Sequence, residues 1–103
     1  MLFVVTMTHT AESCPVYHPE QMSAAVESAK KSESIAKELG MKIHFMLSAI
    51  AGHTAYTLVE ADNAGALSRY FGSIPFPQDY TVTPVEHLKD MIERAKEMLS
   101  EKK

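Results

Sequence analysis

Residues 41–60 read MKIHFMLSAIAGHTAYTLVE, and the Ala51-Gly52 pair divides this stretch into two runs. In the first run apolar and polar residues alternate with a period of two, which is typical of a β-strand, and a short glycine-containing turn between two such runs indicates a hairpin. We therefore predict strands over 41–50 and 53–60. In the first strand, the alternation predicts one face of Met41, Ile43, Phe45, Leu47 and Ala49, and an opposite face of Lys42, His44, Met46 and Ser48.

The segments on either side of this hairpin predict two further strands and three helices. Residues 2–10 are rich in Val, Phe, Thr and Met and have no helical period, so they form a strand. Residues 20–39 carry apolar side chains at three- and four-residue steps, which predicts a helix that stops at Gly40. Asp62 or Asn63 caps a short helix that reaches about Phe71, and residues 80–83 form a fourth strand. Thr83-Pro84-Val85-Glu86 matches a capping box, which predicts that an amphipathic last helix begins there.

The resulting order is β-α-β-β-α-β followed by a C-terminal helix, which is the split βαβ pattern of ferredoxin-like folds. Right-handed crossovers then give an antiparallel sheet of order 4-1-3-2 in a single α+β domain over residues 1–103. One face of this sheet takes the two helices. The other face mixes apolar and polar side chains, so we expect a second copy to cover it and form a homodimer.

Two segments carry a resemblance to a known superfamily. The sequences TLVEADNAGALSR (57–69) and YTVTPV (80–85) combine a strand ending in an acidic dipeptide, an Ala-rich helix and a closing strand. In this the chain resembles the dimeric α+β-barrel superfamily, in particular a group of small uncharacterised bacterial and archaeal members. The resemblance implies the fold and the dimer; superfamily members include cofactor-free monooxygenases, muconolactone isomerases and haem-binding enzymes. It transfers no catalytic residue, because the matching segments contain no chemical motif.

Composition excludes several classes of partner. The chain has 103 residues and a formal net charge of -3 with the charges well mixed, so it lacks the basic surface that nucleic acid or an anionic membrane requires. A single cysteine rules out a disulfide framework. The sequence shows no basic leader and no apolar run of about 20 residues, so we expect a soluble, cytoplasmic protein without a membrane partner.

The run His9-Thr-Ala-Glu-Ser-Cys-Pro-Val-Tyr-His18 holds the densest set of chemically capable residues. In the predicted topology the first strand runs into this segment, and the hairpin turn brings His53 to the same end of the sheet. We therefore predict a metal site from His9, Cys14, His18 and His53, with Glu12 as an additional ligand or base. A thiolate with imidazoles suits Zn(II), Cu(I) or Fe(II), and three protein ligands would leave a position for water or substrate.

Three other interpretations remain open. Cys14 lies before a helix start, which favours a reactive thiolate. His9 or His53 could act as an acid–base catalyst in a pocket beneath a proline-stiffened lid at 74–77, as in a cofactor-independent monooxygenase or isomerase. The protein could also be a structural or regulatory dimer, with Cys14 a buried apolar residue, His18 a helix cap and His44 at the dimer face. The pocket could be lined by aromatic residues, namely Tyr17, Tyr56, Tyr70, Phe71, Phe76 and Tyr80.

Overall fold

The computed structural model describes residues 1–75 and 77–101, except for the side chain of Ile50. Phe76, which the sequence placed in the lid and in the pocket lining, lies outside the described residues. The described residues form four strands and three helices, with 3-10 turns at Pro15–Tyr17 and Ile50–Gly52. The elements are β1 (Leu2–Thr8), α1 (Pro19–Glu38), β2 (Lys42–Ala49), β3 (Thr54–Glu60), α2 (Ala64–Gly72), β4 (Asp79–Val85) and α3 (Leu88–Glu101).

The strands form one antiparallel sheet of order β2-β3-β1-β4, which confirms the predicted order. The central strand β1 pairs with β3 from Leu2 opposite Glu60 to Thr8 opposite Thr54. It also pairs with β4 along its whole length, so β1 has a neighbour on both sides. Because β1 and β3 are antiparallel, the last residue of β1, Thr8, and the first residue of β3, Thr54, lie at the same end of the sheet.

The hydrophobic core lies between one face of the sheet and the helices α1 and α2. Along β1 every second side chain is buried, and Val5 and Val59 are fully inaccessible to solvent. Helix α2 buries Leu67, Tyr70 and Phe71 against this face. Helix α1 contributes its C-terminal half, where Ala36 is buried. The helix ends at Glu38, and Gly40 turns the chain with a left-handed φ of 70°, which glycine adopts without strain.

The start of α2 depends on one side chain. Of the two predicted caps, it is Asn63 whose Oδ1 accepts a hydrogen bond from the Ala66 backbone N–H at 2.9 Å. Replacing Asn63 with alanine should lower the free energy of unfolding by about 1 kcal/mol, because an N–H of the first turn loses its partner. The matched control is Asp62→Ala, at an exposed position one residue earlier. Equal shifts in the urea midpoint for the two variants would contradict the assignment.

The faces of β2 differ from the prediction beyond Ile43. A bulge between Ile43 and Phe45 inserts an extra residue, His44, so the alternation reverses after it. Met46 lies opposite the buried Thr57, on the helix side of the sheet, whereas Leu47 lies opposite Tyr56 on the other side. The predicted assignment of Met46 and Ser48 to the open face was therefore wrong. The open face is more apolar than the sequence pattern indicated, because Phe45 and Leu47 lie on it.

The predicted helix start at Thr83 was also wrong. Strand β4 continues to Val85, which pairs with Leu2, and α3 begins only at Leu88. Proline is compatible with an edge strand such as β4, because every second N–H of an edge strand points away from its neighbour and makes no ladder bond. Glu86 does not cap the helix but forms a two-pronged ion pair with Arg94.

Helix α3 extends away from the rest of the domain. None of its residues is buried, and the domain is 63 Å long with a radius of gyration of 17.1 Å, against about 13 Å for a compact chain of this length. Its exposed apolar residues are Leu88, Met91, Ile92, Met98 and Leu99. Within the described ranges, no helix is long and apolar enough to cross a membrane.

On the open face of the sheet, a histidine side chain contacts a carboxylate. His44 Nε2 lies 2.7 Å from a carboxylate oxygen of Glu60, and this hydrogen bond holds the pKa of Glu60 below its ordinary value. A lowered carboxyl pKa adds stability above the unfolded-state pKa, and that stability is lost as pH falls through the folded-state pKa. Wild type should therefore be more stable than Glu60→Gln at neutral pH, and the difference should shrink as pH falls through the lowered pKa of Glu60. Urea unfolding at several pH values measures this difference, and a pH-independent difference would exclude the carboxyl group as its source.

Candidate metal centre

Two histidines meet where β1 and β3 end their pairing. The His9 backbone N–H donates to the His53 carbonyl at 3.2 Å, which extends the β1–β3 ladder by one step beyond Thr8 and Thr54. The two imidazole rings contact each other edge to face, with centroids 5.1 Å apart and an interplanar angle of 72°. The two residues are thus held together at the end of the sheet by the hydrogen bond that continues its ladder.

The backbone at His53 adopts an uncommon conformation. Its φ of 52° is in the left-handed region, where non-glycine residues pay a steric cost and histidine is among the more tolerated types. The Ile50–Gly52 turn directly precedes it, and Thr54 Oγ1 donates to the Gly52 carbonyl at 2.9 Å. The strained residue therefore marks the point at which the hairpin turn enters β3 and sets the direction of the His53 ring.

Cys14 reaches the same place through a compact turn. The Ser13 N–H donates to Thr10 Oγ1 at 3.2 Å, and the Cys14 N–H donates to the Ala11 carbonyl at 3.3 Å. Next, the Pro15–Tyr17 turn closes when the Tyr17 N–H donates to the Cys14 carbonyl at 3.0 Å. These bonds fold the chain back after β1, so Cys14 is only 5% exposed.

The ligand atoms of His9, Cys14 and His53 form one cluster. One nitrogen of each imidazole and the Cys14 Sγ all lie within 4.8 Å of one another. In a tetrahedral site with metal–nitrogen bonds near 2.0 Å and metal–sulfur bonds near 2.3 Å, neighbouring ligand atoms are about 3.5 Å apart. The separations in the cluster therefore exceed those of a bound site by at most about 1.3 Å, a difference that small side-chain rotations can close.

The electrostatics of the cluster favour neutral imidazole. Burial, and secondarily the charge of the neighbouring His53, lower the pKa of His9 below its ordinary value. Neutral imidazole is the form that binds metals and accepts protons. His53 Nδ1 is buried and has no hydrogen-bond partner among the described residues. Such an atom costs free energy unless a ligand, a metal or water satisfies it.

Two of the five predicted site residues do not join the cluster. The ring of His18 lies against its own loop, with Nε2 2.6 Å from the Glu12 carbonyl oxygen. Glu12 itself is exposed. The topology argument thus brought together the residues that follow β1 and precede β3. It did not anticipate that His18 would instead close the loop containing Cys14.

The predicted aromatic residues do not line one common pocket in the described part of the chain: Phe71 and Tyr80 line a cavity beside α2, and Tyr70 lines a different one. Tyr17 is exposed, Tyr56 is on the open face of the sheet, and Phe71 is in the core. Tyr80 contacts Phe71, and its hydroxyl donates to the Phe71 carbonyl at 2.5 Å. Of these residues only Tyr70 lines the cavity described next.

A cleft that the sequence reasoning missed lies between α1 and the sheet, and we call it the α1 cleft. Its volume is about 390 Å³. A signal was present in the sequence, because Ala25, Ser28, Ala29 and Ser32 place four small side chains on one face of α1. Small residues on a helix face that lies over a sheet leave space instead of filling it. From the lid, Ile74 also lines this cleft.

Comparison with known proteins places the chain in a family without assigning it a reaction. None of the curated proteins compared with the chain matches it. A family model described as a domain of unknown function (DUF3303) matches residues 1–99. That match spans all four strands, both helices of the core and nearly all of α3. The chain belongs to the DUF3303 family.

Proposed function

We propose that this protein binds a transition metal ion through His9, Cys14 and His53. The observation that carries the proposal is the approach of one sulfur and two nitrogen ligand atoms to within 4.8 Å. A thiolate with two imidazoles is a donor set for Zn(II), Cu(I) or Fe(II). Three protein ligands leave one coordination position for water or for a small-molecule ligand, so the site is of the open rather than the closed structural type.

Each residue has a definable part in such a site. His9 directly follows β1 and His53 directly precedes β3, and the hydrogen bond from the His9 N–H to the His53 carbonyl holds the two residues side by side. Cys14 supplies the negative charge, and its near-complete burial keeps competing water away from the sulfur. A bound divalent ion would act as a Lewis acid and lower the pKa of a bound water.

Metal analysis of the full chain tests the proposal. Protein purified without chelator or affinity tag, or reconstituted with zinc, should contain about one metal ion per chain. Cobalt(II) should give a thiolate-to-cobalt charge-transfer band, and His53→Ala should weaken cobalt binding by at least about tenfold. His87→Ala is the matched control, because His87 is exposed and lies outside the cluster. Absence of metal after reconstitution, or equal affinities for the two variants, would overturn the proposal.

A second candidate function is supported by the lowered pKa of His9. A histidine that is neutral near pH 7 and held beside a cleft can act as a general base without a metal, as in a cofactor-independent monooxygenase or isomerase. Chelation separates the two candidates. Activity that survives exhaustive chelation but is lost in His9→Asn would favour the metal-free enzyme. A structural or regulatory dimer would show neither metal binding nor turnover.

We also infer that the fold is ferredoxin-like and that two copies pair through the open face of the sheet. Phe45, Leu47 and Tyr56 are 42%, 60% and 44% exposed on that face, and no described element covers them. A patch of this kind on a monomer would favour aggregation, whereas a twofold dimer would bury it.

The dimer has a matched pair of variants. Leu47→Glu places a charge at the centre of the open face and should give a monomer at micromolar concentration. Val26→Glu changes a similarly exposed apolar residue on α1, away from that face, and should stay dimeric. Light scattering after size-exclusion chromatography measures the mass. A monomeric wild type would contradict the dimer.

A further inference from the structure

We propose that the α1 cleft binds a small, uncharged and mostly apolar organic molecule, with one end at the open coordination position of the metal. The proposal rests on the metal site proposed above and specifies the ligand class that the site accepts. Three features carry it: where the cleft lies, what lines it, and how much room it has.

The cleft borders the metal cluster along the sheet. Met7 and Ala55 are paired across β1 and β3, and both line the cleft. His9 and His53 are joined by a backbone hydrogen bond two residues beyond this pair, which is about 7 Å further along. If the alternation of β1 and β3 continues by this one step, both histidines are on the same side of the sheet as Met7 and Ala55. A molecule in the cleft therefore lies within reach of the metal cluster without crossing the sheet.

Small side chains create the cleft from both sides. On the sheet side, Ala55 and Ser48 are paired, and the bulge at His44 is what turns Ser48 and Met46 toward the helix. On the helix side, Ala25, Ser28 and Ser32 face the sheet in place of the large apolar residues that usually pack there. The cavity is therefore encoded by two independent features, the composition of α1 and the bulge in β2.

The lining indicates the chemistry of the ligand. None of the described residues that line the cleft carries a formal charge, so a charged molecule would lose its hydration without compensation. Met7, Met46 and Ile35 supply an apolar surface, and methionine sulfur packs well against aromatic rings. Hydroxyl groups of Ser28 and Ser48 and the Gln78 amide supply a few polar contacts that could orient a neutral ligand.

The size of the cleft limits the ligand. At about 30 Å³ for each water-sized group, 390 Å³ holds on the order of a dozen non-hydrogen atoms. Tyr70 closes one side, where burial raises the pKa of its phenol and a hydrogen bond with Ser32 fixes the ring. A single substituted aromatic ring fits this space.

The test compares three probes on cobalt-substituted full-length protein: 4-phenylimidazole, imidazole and toluene. Imidazole can reach only the metal, toluene only the cleft, and 4-phenylimidazole both. We expect 4-phenylimidazole to bind at least about tenfold more tightly than imidazole, because the phenyl ring adds apolar burial. Changes in the cobalt spectrum report the first two probes, and ligand-observed NMR reports toluene.

Two serine variants on α1 give the control. Ser28→Leu fills the cleft and should remove both the advantage of the phenyl group and the binding of toluene. Ser23→Leu makes the same change at an exposed position of α1 outside the cleft, so the advantage of the phenyl group and the affinity for toluene should each stay within about twofold of the wild type. This change should not destabilise α1, because leucine is a better helix former than serine. Helical content by circular dichroism confirms that both variants fold.

The outcomes separate the two proposals. If cobalt is not taken up, the metal proposal fails, and toluene binding to the wild type and Ser23→Leu but not to Ser28→Leu would still support the cleft as a site. If cobalt binds but imidazole and 4-phenylimidazole have equal affinities, the cleft proposal is overturned and the metal proposal stands. Equal effects of Ser28→Leu and Ser23→Leu also overturn the cleft proposal.

Discussion

Replacing Phe71 with alanine should lower the free energy of unfolding by about 3–5 kcal/mol. Phe71 is 3% exposed, and its ring contacts the rings of both Tyr70 and Tyr80. Its removal leaves a void at the point where α2, β4 and the sheet meet. Because domains of this size are stable by only about 5–15 kcal/mol, the variant should be close to unfolded at 37 °C.

Urea unfolding followed by circular dichroism measures this effect. Tyr17→Ala is the control, since Tyr17 is also aromatic but 68% exposed, and it should change the free energy of unfolding by less than about 0.5 kcal/mol. A midpoint for Phe71→Ala that matches the control would mean that α2 does not pack on the sheet as described.

Saturating zinc should stabilise the wild type against unfolding, and removal of Cys14 should abolish that gain. At a free zinc concentration about 1,000 times the dissociation constant, a metal that binds only the folded state adds about 4 kcal/mol. Cys14→Ala removes the only thiolate, so the remaining two imidazoles should retain little of the gain. Alanine is preferred to serine, because a hydroxyl at this buried position would itself be destabilising.

Unfolding midpoints with zinc and with chelator, for each variant, measure the gain directly. The comparison within one variant cancels the cost of the packing change at position 14. His87→Ala should gain as much as the wild type. A gain for Cys14→Ala equal to that of the wild type would place the zinc elsewhere in the chain.

The sequence was sufficient for the order of elements and of strands, because periodicity, turns and crossover handedness are local or nearly local properties. The strand pattern at 41–50 and 53–60 identified the hairpin, and the sheet order followed. The bulge at His44 was not predictable from alternation, because one extra residue moves every later side chain of the strand to the opposite face of the sheet without changing the composition. The capping box at Thr83 failed for a related reason: pairing with β1 held residues 83–85 in the sheet.

For the candidate metal site as well, some features followed from the sequence and others only from the tertiary structure. The sequence by itself determined which residue types follow β1 and that His53 would return to the same edge of the sheet. Only the tertiary structure decided that Cys14 turns inward to the two histidines while His18 bonds to the Glu12 carbonyl, because loop hydrogen bonds between residues 10 and 18 set that geometry. It also decided that small residues on α1 lie over small residues of the sheet. Residue types and their spacing can be taken directly from the sequence, whereas distances between side chains depend on how the chain packs.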